Sequence, residues 1–116
     1  MYLDPIAERT EVIELFEKSK GKHIRAEWIS RCKHINGVDY KGGMVFSHYG
    51  TNSVFKYALE QFKRQADEVG VMIDEIVISQ NPEAYTPNPE PVIRFVRSGA
   101  SFENKTPSTG RCVEIF

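Results

Sequence analysis

Residues 22–33 read KHIRAEWISRCK, and the secondary structure of this stretch decides the fold. The odd positions are mostly charged. The even positions from 24 to 32 are apolar or small, and they are Ile24, Ala26, Trp28, Ser30 and Cys32. This alternation predicts a half-buried strand with Trp28 on its core side and Ile29 as the single violation. A helix is the alternative, because apolar residues from Ile24 to Ile35 also recur at helical spacing. We favour the strand because the alternation is long.

Two amphipathic helices are predicted on either side of this stretch. In the first, Asp4 is a suitable N-cap, Pro5 suits the first helical position, and Gly21 marks the end. The second spans residues 52–69 and ends at Gly70. Its apolar residues recur at helical spacing and are Phe55, Ala58, Leu59, Phe62, Ala66 and Val69.

Short apolar runs predict the remaining strands, which are Met44–His48, Val71–Ser79, Val92–Arg97 and Cys112–Phe116. Either Asn36-Gly37 or Gly42-Gly43 would form the tight turn between the first two strands. The resulting order, α-β-β-α-β-β-β, predicts an α+β fold. In this fold, two amphipathic helices pack on one face of a mostly antiparallel sheet of about five strands. The length of 116 residues suits a single globular domain over 1–116.

Composition restricts the environment of the chain. Two cysteines, Cys32 and Cys112, are too few for a disulfide framework, and Met1–Arg9 has no apolar core of a signal peptide. No stretch approaches the roughly 20 apolar residues that a membrane span needs. We therefore expect a cytoplasmic, reducing location and no membrane partner, while the oligomeric state stays open.

Positive charge is concentrated in one basic segment. Residues 18–43 hold seven Lys or Arg against two acids, although the whole chain has a net charge of −1. Such a basic patch is typical of a phosphate-binding surface, or of a cationic face that docks an acidic protein. Tyr40 and Tyr49, beside glycines, are the candidate stacking residues. The candidate binding residues are Lys20, Lys22, Arg25, Arg31, Lys33, Tyr40, Lys41, His48 and Tyr49.

The junction before the second helix offers a further hypothesis. Its residues run His48-Tyr49-Gly50-Thr51, and the N-terminus of the following helix could hold an anion. With one residue inserted, this run resembles the His-Gly-Thr strand end of ADP-ribosyltransferases. The resemblance implies that His48 would hold the ribose of NAD and that Glu114, on a late strand, would activate the reaction.

Other chemistry finds little support in the sequence. Cys32, His34, His48 and Cys112 lack the paired short spacings of structural zinc sites, so we predict no metal and no cofactor. No nucleophile-elbow or metalloprotease motif is present. Asp74 and Glu75 are adjacent on a predicted strand and would point to opposite faces, which excludes a carboxylate dyad.

The sequence therefore favours a small non-enzymatic binding protein that acts by protein–protein contact. Small viral or mobile-element proteins that act as an inhibitor or regulator of a host enzyme have this character. The alternative is a nucleic-acid-binding regulator that uses the basic segment over 18–41. A minor alternative is an ADP-ribosyltransferase-like enzyme.

Overall fold

The computed structural model describes residues 4–18, 22–30, 40–46, 52–81, 83, 87, 90–97 and 111–114, with the backbone alone at Asp4, Asn52, Glu90 and 111–114. The fold is α+β. Its helices are α1 (Asp4–Ala7), α2 (Thr10–Lys18) and α3 (Asn52–Val69). Its strands are β1 (His23–Ser30), β2 (Tyr40–Phe46), β3 (Glu75–Asn81), β4 (Glu90–Val96) and β5 (Arg111–Glu114).

The sheet is built around β1 and β3. The strand order is β2-β1-β3-β4-β5, and β1 to β4 pair antiparallel. Strand β5 adds parallel to β4. Parallel neighbours need a connection of a dozen or more residues, and residues 97–110 are long enough to supply it. The sheet is therefore mostly antiparallel, as the sequence predicts, and β5 is the parallel exception.

Strand β1 confirms the alternation that the sequence predicts for residues 23–30. Its burial alternates along the whole strand, and Trp28 is only 2% exposed. Ile29 is half-buried and lies on the face opposite Trp28. The helical alternative for this stretch is thus wrong over residues 23–30, while 31–33 lie outside the described residues.

The first predicted helix is two helices. Amide groups of Glu8 and Arg9 bond to carbonyls three residues back, which tightens and ends α1. Val12 and Ile13 then both donate to the carbonyl of Arg9, which starts α2. The Arg9 side chain bonds to Glu11, and this hydrogen bond raises the pKa of the guanidinium above its ordinary value. The break lets both short helices bury apolar residues.

Helix α3 has the bounds that the sequence predicts. Gly70 ends it with φ of 77°, and the amide of Val71 bonds back to the carbonyl of Ala66. This is a Schellman ending, in which glycine adopts the left-handed conformation without a Cβ penalty. Within the described ranges, no helix is long and apolar enough to cross a membrane.

Helices α2 and α3 meet the sheet at an aromatic cluster. Phe16 of α2 and Phe55 of α3 both contact Phe46 of β2, with ring centroids 5.8 and 6.1 Å away and near-perpendicular planes. Since Phe46 pairs with Ile24, these helices pack on the sheet face that carries Ile24 and Trp28. We call this the inner face.

Two predictions about β2 need correction. Gly42-Gly43 does not form the turn before the second strand, because both glycines lie inside β2 and pair with Trp28 and Glu27. Tyr40 and Lys41, expected at glycine turns, also lie in β2. The alternative turn, Asn36-Gly37, lies outside the described residues.

Candidate functional site

The sheet face opposite the helices is the candidate site, and we call it the outer face. Alternate residues of β1, β2, β3 and β4 lie on this face, as the strand registers show. Their described side chains include those of His23, Arg25, Glu27, Ile29, Lys41, Val45, Glu75, Val77, Ser79, Asn81, Arg94 and Val96. The described helices lie on the other side: α2 and α3 pack on the inner face, and α1 packs on α3.

Two buried carboxylates lie at the end of the sheet where β3 begins. Glu75 forms an ion pair with Arg94 of β4, and the Glu75 side chain is 3% exposed. Just before β3, Asp74 forms an ion pair with Arg97 at 2.6 Å, and the amide of Asp74 donates to the carbonyl of Ile29. Each acid therefore has its own arginine. Buried charges of this kind need such partners, and we call these two ion pairs the polar frame.

The basic segment is partly neutralised where the structure describes it. Arg25 lies 3.4 Å from Glu27 on the same strand, and both side chains are about one-third exposed. Lys41 pairs in register with Ile29, four positions along β1 from Arg25, which is about 13 Å. Within the described ranges, Lys41 has no carboxylate at ion-pair distance and is exposed. The described cations thus do not form one dense cluster.

Apolar residues fill the space between these charges. Val45 on β2 lies beside Arg25, and Val77 on β3 lies between Glu27 and Arg94. Ile29, Val45 and Val96 remain half-buried, although Val77 is only 5% exposed. Protein interfaces likewise combine apolar side chains with arginine and other polar groups.

The inner side of β2 is fixed by Trp28. Its indole nitrogen donates a hydrogen bond to the side chain of Gln65 in α3 at 2.8 Å. The Tyr40 ring stacks parallel on the indole with a centroid separation of 6.5 Å. A Cβ at Gly42 would lie 2.3 Å from the indole nitrogen, so only glycine leaves room for it. The sequence predicts Tyr40 as a stacking residue for a ligand, but one face of its ring already stacks on Trp28.

Several predicted site residues lie outside the described residues. They are Lys20, Arg31, Lys33, His48 and Tyr49. Lys22 is described and exposed, immediately before β1. Of the ADP-ribosyltransferase-like pair, His48 is not described, and only the backbone of Glu114 is.

The same holds for the metal hypothesis, because Cys32, His34 and His48 are not described and Cys112 is described in its backbone only. Among the described side chains, no group of three or more His, Cys, Asp or Glu could hold a metal ion.

Sequence reasoning missed the polar frame. The adjacent Asp74 and Glu75 suggest only a carboxylate pair, whereas their partners Arg97 and Arg94 lie just beyond the next strand and on it. A signal was present, since Arg94 stands between the apolar Ile93 and Phe95. A charged residue at that position of an alternating strand points to the second face of the sheet.

Comparison with known proteins adds no relative. No family model, no curated protein and no solved structure matches the chain.

Proposed function

We propose that this chain is a non-enzymatic binding protein that contacts another protein through the outer face of its sheet and acts as an inhibitor or regulator of that partner. One observation carries the proposal. The described helices pack on the inner face only, while Ile29, Val45 and Val96 on the outer face stay half-buried. Antiparallel sheets commonly leave one face to solvent, but that face is then usually polar.

The described charges of the outer face also favour a protein partner over a nucleic acid. Glu27 and Glu75 lie among the cations of this face, and Arg25 and Arg94 are engaged by them. Phosphate binding needs several cations free to replace counterions. A face with paired charges and aliphatic residues between them instead suits a protein surface of mixed character.

Affinity capture tests this proposal. The double variant Lys41→Glu with Val45→Glu reverses one charge and places another on an apolar position of the outer face. From a nuclease-treated lysate of the source cells, we expect this variant to retain roughly a tenth or less of the protein partner that the unmodified chain captures. Burying an unpaired carboxylate in an interface costs several kcal/mol.

The matched control is Arg64→Glu, which makes a charge reversal on the exposed side of α3, away from the outer face. It should capture the partner as well as the unmodified chain does. Equal capture by all three proteins would refute the outer face as the contact surface. Capture that disappears on nuclease treatment would instead support a nucleic-acid bridge and the regulator alternative.

A further inference from the structure

Strand β2 is the edge of the sheet, so its backbone as well as its side chains could bind a partner. It is first in the strand order and pairs with β1 over seven residues without a bulge. Among the described residues, no strand lies on its other side, and none of the backbone hydrogen bonds outside the helices and the sheet involves residues 40–46. Alternate backbone N–H and C=O groups of such an edge form a template for another strand.

The usual protections of an edge strand are nearly absent from β2. It contains no proline and no bulge, and Lys41 is its single charged residue. The other edge, β5, spans only four residues. Behind β2, the stack of Trp28 and Tyr40 and the bond to Gln65 hold the strand against α3. The edge is therefore long, regular and supported.

Lys41 indicates the chemistry of a strand that would pair here. It lies on the outer face, exposed, and the other cations described there have carboxylate partners. Val45 lies on the same face, four residues further along β2. A cross-strand neighbour with an acid facing Lys41 and an apolar residue facing Val45 satisfies both positions. The spacing is four residues in either strand direction, but the order differs. The acid precedes the apolar residue in a parallel strand and follows it in an antiparallel strand.

We infer that β2 binds an extended segment of the partner protein by strand addition, and that this segment carries an acidic and an apolar side chain four residues apart. The inference rests on the proposed function and specifies how the partner is recognised. Main-chain hydrogen bonds provide the binding, and Lys41 and Val45 select the sequence. The same lysine that discourages indiscriminate pairing of the edge selects an acid.

A peptide titration tests the inference without a lysate. The probes are two capped seven-residue threonine peptides, added to the isotope-labelled chain at millimolar concentration. One has glutamate second and valine sixth, which fits a parallel strand, and the other has valine second and glutamate sixth, which fits an antiparallel strand. We expect one of the two peptides to cause amide shifts in residues 40–46. It should bind two- to fivefold more tightly than the same peptide with lysine in place of glutamate, as for a single exposed ion pair. The variant Lys41→Glu should reverse that preference. A glutamate peptide N-methylated at alternate residues should not bind.

Three results would overturn strand addition: no shifts in β2, equal binding of the methylated peptide, or a dimer of the chain in which β2 pairs with its own copy. None of these three results decides the outcome of the capture experiment. If capture depends on the outer face but the peptide does not bind, the proposed function stands and only its recognition mode is wrong. If the peptide binds but capture ignores the outer face, the proposed function fails instead.

Discussion

Replacing Arg94 with methionine is expected to lower the free energy of unfolding by about 3–5 kcal/mol, because it removes one partner of a buried ion pair. The Glu75 side chain is 3% exposed, so its carboxylate stays buried after the guanidinium of Arg94 is removed. Methionine retains much of the aliphatic length of arginine, so lost packing adds little. Urea denaturation followed by circular dichroism measures the change.

The matched control is Arg25→Met on the same face. Arg25 and Glu27 are both about one-third exposed and 3.4 Å apart, so water can solvate the remaining charge. Arg25→Met should therefore lower the free energy of unfolding by less than about 1 kcal/mol. A double variant, Glu75→Leu with Arg94→Met, should recover most of the loss, since removing both charges leaves neither buried alone. If Arg94→Met lowers the free energy of unfolding no more than Arg25→Met does, Arg94 is not the partner that compensates the buried charge of Glu75.

Replacing Trp28 with alanine is expected to lower the free energy of unfolding by about 3–5 kcal/mol, which is typical of a large buried aromatic residue. Trp28 is 2% exposed and joins three parts of the fold. Its indole donates to Gln65 of α3, stacks on Tyr40 and lies over Gly42. Without it, β2 loses its support against the helix. Urea unfolding monitored by circular dichroism again provides the value.

Ile29 is the neighbouring control for Trp28. It lies on the same strand but on the outer face, and it is half-buried. Ile29→Ala should cost roughly 1–2 kcal/mol because less apolar area returns to water. If Ile29→Ala lowers the free energy of unfolding as much as Trp28→Ala does, the assignment of the two faces of β1 is wrong.

The fold was largely predictable because its local patterns agree with its packing. In β1 the period of two places Trp28 inside, and in α3 the apolar spacing and Gly70 define both the buried face and the end. The prediction failed at β2, where two glycines suggested a turn. Their role is close approach: Gly42 leaves room for the indole of Trp28, which is a contact between residues far apart in sequence.

The candidate site was less predictable for the same physical reason. Among the described residues, the ion pair inside the basic segment joins Arg25 and Glu27, two residues apart on one strand, so alternation alone can place it. The polar frame instead joins residues far apart in sequence. Alternation could place Arg25 on the outer face, yet it could not show that Arg94 reaches Glu75 from the next strand. Nor could it show that β2 is the edge, because strand order depends on which strands pair in three dimensions.

The central claim is that the outer face contacts a protein, and site-specific photocrosslinking in the source cells tests it most directly. A photoreactive amino acid replaces Val45 on the outer face or, in a second protein, Tyr57 on α3, which is 58% exposed on the opposite side of the molecule. The account predicts a protein adduct from position 45 and none from position 57. An adduct from position 57 alone, or an adduct at position 45 that proves to be nucleic acid, would contradict it.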